Sequence, residues 1–117
     1  IYLLLAEKSL GASIGLIEGG KYELGVSTLT KAVKYLESAV SQERLARETS
    51  ETGQFLEKLA LASLKHREVL EEIILKVPED AKPVVNQTLD YSKKAYEETS
   101  HGLAEVGRPI PLSPFVD

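Results

Sequence analysis

Apolar residues recur along this chain at steps of three and four, and the recurrence breaks at Gly19-Gly20, at Thr52-Gly53 and between Pro78 and Pro83. Steps of that size line one stripe of a helix, whereas a half-buried strand alternates every second residue. The first segment, Ile1 to about Glu18, puts Leu3, Ala6, Leu10, Ile14 and Ile17 on one stripe. Lys21 to about Glu48 carries the most regular stripe, made of Tyr22, Val26, Leu29, Val33, Leu36 and Val40. A third helix is predicted over 54–77, with Leu56, Leu59, Leu70, Ile73 and Val77 on its seam and Ser63 and His66 filling the seam's middle. A fourth, over about 81–106, shows a broader and less apolar stripe of Val84, Val85, Thr88, Leu89, Tyr91, Ala95, Tyr96, Leu103 and Val106.

The breaks have turn chemistry. Gly19-Gly20 stops the first helix and Gly107 the fourth, while the hydroxyl-rich run from Glu48 to Gly53 suits a break followed by an N-cap. Pro78 ends the third helix. Pro83 has no amide hydrogen and is tolerated only in a first turn, which makes Asp80 the expected N-cap of the fourth. Gly11 and Gly15 sit four apart inside the first helix, each at up to about 1 kcal/mol against Ala, and close approach by another helix would explain them. Connections of about two to six residues favour antiparallel neighbours. The predicted fold is therefore all-α, an up-and-down antiparallel four-helix bundle over 1–107 with an extended Pro-rich tail or linker over 108–117. Three helices with the first docked loosely would satisfy the same pattern.

Composition narrows the function classes. The chain has 117 residues, room for one core, and its 43% hydrophobic and 27% charged residues set it apart from disordered sequences. Its formal charge of −4 is spread without a run of like charges, so nucleic acid is not an expected partner. There is no cysteine, which removes disulfides, thiolate metal sites and Cys nucleophiles. The apolar run from Ile1 to Ala6 is far short of the ~20 residues that a membrane span needs. A chain without methionine that begins Ile1-Tyr2-Leu3 is expected to be a processed product or a fragment, with any targeting segment upstream.

Several stretches resemble a known family. They are Leu5 to Leu10, Leu16-Ile17-Glu18 with Gly20 to Leu24, Thr30 to Glu37, Leu56 to Ala60, Leu64 to Leu70, and Lys76 to Lys82. Over roughly Tyr2 to Leu103 the chain is similar to a family of bacterial all-helical domains of unknown function. Its shared motifs are helix-packing patterns. The resemblance implies a helical fold and, because members typically follow an export signal or membrane anchor, a place outside the cytoplasm, in the cell envelope or secreted. The family has no assigned activity, so no catalytic residue carries over. Two features depart from it: the connector from Glu48 to Gly53 looks shorter or less basic, and the tail from Arg108 to Asp117 has no counterpart.

Candidate chemistry is sparse. His66 occupies a seam position that Leu or Ile would normally hold, which suits a metal or cofactor ligand, a pH-sensitive core residue, or a buried imidazole hydrogen-bonded to a neighbouring helix. Its neighbours one turn away, Ala62, Ser63, Val69 and Leu70, are poor ligands. Glu98 and His101 form a Glu-x-x-His pair projecting from one helix face, but di-iron bundles use two such pairs plus two further Glu. Asn86-Gln87-Thr88 fits the glycosylation sequon inside a predicted helix, and no phosphate-cradling loop or nucleophile elbow is present. No cofactor is implied. The hairpin from Ala6 to Val40 resembles a tetratricopeptide unit, but its period does not recur. Arg108, Pro111 and Pro114 have the spacing of a polyproline ligand, and Phe115 and Val116 could dock on a neighbouring subunit; a stiff linker, or packing along the bundle, accounts for the same residues. The expected role is a non-enzymatic helical scaffold or interaction module with a protein partner or self-association. The alternatives are a metal- or cofactor-binding bundle using His66 and a tetratricopeptide-like adaptor or self-assembling subunit.

Overall fold

The structure is a computed structural model that describes residues 1–47 and 53–115. Among these residues there are four α-helices and no strand: α1 (Tyr2–Glu18), α2 (Tyr22–Arg47), α3 (Gly53–Ile73) and α4 (Lys82–Glu105), with a short 3-10 turn (Glu79–Ala81) before the last. The break and N-cap expected between Glu48 and Thr52 lie outside the described residues.

Two helix ends follow from glycine. Gly20 has φ +81, a left-handed conformation that side chains disfavour, and there its N–H donates to the Ile17 carbonyl while that of Lys21 donates to Leu16. Gly107, at φ +72, repeats the arrangement, with its own N–H on Ala104 and that of Arg108 on Leu103. Both pairs of bonds satisfy carbonyls that a helix end would leave without partners.

The ends flanking Pro78 differ from expectation. Regular α-helix stops at Ile73, four residues before the predicted Val77, and the chain tightens into bonds such as Leu75 N–H to Glu72 O and Lys76 N–H to Ile73 O. Proline disfavours helical geometry in the residue before it, so Val77 leaves the helix yet still reaches the core. Asp80 does not cap α4. It lies exposed in the 3-10 turn, and Ala81 takes the N-cap position with no side-chain bond, while Pro83 sits in the first turn as its missing donor requires.

Side-chain layers show how the helices run. Leu10 and Ile17 of α1 share a cluster with Leu29 and Ala32 of α2, Val69, Leu70 and Ile73 of α3, and Val85 and Leu89 of α4. A second layer joins Ala6 of α1 to Leu36, Ala39 and Val40 of α2, Leu59 and Ala62 of α3, and Ala95 of α4. A third sets Leu56 and Ala60 against Leu103. Early α1 thus meets late α2, and early α3 meets late α4, so consecutive helices run up and down. The pairs α1–α2 and α3–α4 are closely packed hairpins. They meet chiefly through α2 on α4, whereas α1 faces α3 across a looser seam and does not approach α4.

The glycines of α1 do not mark a close helix approach. A Cβ added at Gly11 or Gly15 would meet nothing within 4 Å. The close approach is at Gly25 of α2, where a Cβ would sit 2.5 Å from Ile17 Cγ1 and 3.3 Å from the Ile17 backbone nitrogen. Backbone cannot yield as a flexible side chain can. Gly25→Ala is therefore expected to destabilise by about 1–3 kcal/mol, and Gly11→Ala to stabilise by about 0.5–1 kcal/mol through helix propensity. Urea titration checks both, and a neutral Gly25→Ala would show that the α1–α2 hairpin opens freely.

Candidate functional site

Most of the polar groups in the core are satisfied locally. The hydroxyls of Ser13, Ser63, Thr88, Ser92 and Thr99 each donate to a carbonyl three or four residues earlier, at 2.7 to 2.8 Å. Thr88, the last residue of the sequon, uses its hydroxyl in this way. His66 differs. Its ring is 1% exposed, and among the described residues its two nitrogens and Ser100 Oγ are the only buried side-chain polar atoms with no partner. The expectation of a hydrogen bond to a neighbouring helix is not met. Burial pushes the imidazole down from its ordinary 6.5 to about 4, so it is neutral at pH 7.

His66 lies in the wall of a groove between α1 and α3. The groove encloses about 310 Å³ and is lined by Glu7, Leu10, Gly11 and Ile14 on one side and Ala62, Lys65, His66 and Val69 on the other. Ile14 and Val69 also border a smaller cleft of about 40 Å³ farther along the same seam, which is bounded by Ile17, Glu18, Glu72, Ile73 and Lys76. The looser packing of α1 on α3 and the bare Cα of Gly11 leave this space open.

The other ligand candidates lie apart from His66. Glu98 forms an ion pair with Arg44 of α2, and His101 is exposed near the end of α4. The described residues contain no group of three or more His, Asp or Glu placed to hold a metal ion. The carboxylate of Glu98 instead contributes to the surroundings of Tyr91, whose phenol is pushed up to about 12 by burial, then by Glu37 and Glu98, against the opposing effect of Arg44. It stays protonated at neutral pH.

The tail forms a second feature. From Arg108 it runs extended against α3 and α4, as its prolines predict. Arg108 lies 3.9 Å from Glu57, the Tyr96 hydroxyl donates to the Pro111 carbonyl, and the Arg67 guanidinium stacks 4.2 Å from the centre of the Phe115 ring. Phe115 therefore docks on its own chain, while Pro114 stays exposed. Beside these contacts Ser63, Leu64, Arg67, Ser92, Lys93, Tyr96 and Glu97 line a depression of about 360 Å³. Sequence reasoning missed Glu57 and Arg67. Arg67 follows His66 in α3 and is 7% exposed, with the Phe115 ring of the tail over its guanidinium and Glu71 at 3.5 Å.

Compared with family models, curated proteins and solved structures, the chain matches none. No helix among the described residues is long and apolar enough to cross a membrane.

Proposed function

We propose that this chain is a non-enzymatic helical interaction module whose α3–α4 face binds an extended, proline-containing segment. The observation that carries the reading is the seating of residues 108–115 on that face through Glu57, Tyr96 and Arg67. An extended proline-rich segment loses little entropy on docking, so a few contacts of this kind hold it. In this chain the occupant is its own tail. The family resemblance of residues 2–103 supports placing the module in the bacterial cell envelope or among secreted proteins.

A chain ending at Gly107, with its helicity checked by circular dichroism, is expected to bind a synthetic peptide of residues 108–117 saturably. The same chain carrying Arg67→Ala and Tyr96→Phe is expected to bind it at least about tenfold more weakly, the loss of two contacts each worth roughly 1 kcal/mol. A truncated chain that ignores the peptide would reduce the tail to simple packing and remove the basis of the reading. Native protein found solely in the cytosol would overturn the location.

A further inference from the structure

The α1–α3 groove has a chemistry of its own. Leu10, Ile14, Ala62 and Val69 make its walls apolar, Gly11 exposes bare helix backbone, and the volume of about 310 Å³ falls at the small end of ligand sites. His66 adds one N–H donor and one nitrogen acceptor, neither of them used inside the protein. Such groups are uncommon in native cores, because a buried polar atom without a partner costs about 1–3 kcal/mol.

We infer that this groove is a binding site for a small, uncharged, largely apolar molecule carrying a hydroxyl group, of the phenol or short-chain alcohol class, whose hydroxyl pairs with His66. A neutral imidazole has no charge with which to hold an anion, and it can both donate to a hydroxyl oxygen and accept its proton in a hydrogen bond. Glu7 and Lys65, one of each sign, border the groove and leave it without a net field that would favour an ion. A metal is disfavoured because the described residues hold no group of three or more His, Asp or Glu that could bind one. His66 is 1% exposed, so pairing with it requires a side chain of the groove wall to shift.

The test uses the full chain with phenol and toluene as probes, which share a ring and differ in the hydroxyl. Phenol is expected to shift the Gly11 amide and His66 ring resonances saturably, and toluene to bind about tenfold more weakly, the loss of one hydrogen bond to a buried group. His66→Leu should abolish that preference while leaving toluene binding in place. Gly11→Leu, at an exposed helical position, should fill the groove and remove both. Absence of saturable shifts, equal binding of the two probes, or phenol binding unchanged in both variants would each overturn the inference.

Discussion

Lowering the pH from 7 to 4 is expected to remove about 3 kcal/mol of stability through His66 alone. The native imidazole titrates at about 4 and the unfolded one at 6.5, so between these values the unfolded state binds a proton that the native state refuses. Stability therefore rises with pH through this window and is fully present above 6.5. A difference of 2.5 units at about 1.36 kcal/mol each gives the size. The carboxylates of this acidic chain titrate over an overlapping range, so the measurement is a difference. Urea midpoints of the native chain and of His66→Leu are compared at pH 7, 5.5 and 4. At pH 7 the variant is expected to be the more stable by about 1–3 kcal/mol, because it removes two buried nitrogens without partners and supplies a side chain of similar volume. At pH 4 the gap should widen by a further 3 kcal/mol or so. Parallel pH profiles would mean that the imidazole is solvated or paired in solution.

Leu36→Ala should produce the other large effect, a loss of about 3–5 kcal/mol, in the upper part of the range for a buried leucine. Leu36 is fully buried in the layer that also contains Ala6, Ala39, Ala62 and Ala95. Alanines have no side-chain freedom with which to collapse into a cavity, so the void should persist. Leu75→Ala is the control, since Leu75 is 83% exposed and its loss should change stability by no more than about 0.5 kcal/mol. A loss below about 2 kcal/mol for Leu36→Ala would show that the two hairpins close up around the gap.

These two residues illustrate how unevenly the molecule could be read in advance. Leu36 stood in the unbroken periodicity of α2, and its burial follows from that pattern. His66 was legible as an anomaly on the seam of α3, but its lack of a hydrogen-bond partner depends on how α1, more than fifty positions away at Leu10 and Ile14, packs along the same groove. The pairing of Glu98 with Arg44 is likewise a contact between distant segments. The tail was legible as extended from its prolines. Its seat was not, because Glu57 and Arg67 resemble ordinary charged residues of a helix until Arg108 and Phe115 are beside them.

By itself, the sequence determined the four helices, the face each one buries, and the stops at Gly20 and Gly107. These depend on local quantities: apolar spacing, the freedom of glycine at positive φ, and the missing donor of proline. Tertiary structure alone decided that α2 packs on α4, that α1 and α3 leave a groove, and that Gly25 rather than Gly11 marks the close approach. A stripe of apolar residues states that a face must be covered, while the shapes of all the side chains packed together decide which helix covers it and how closely.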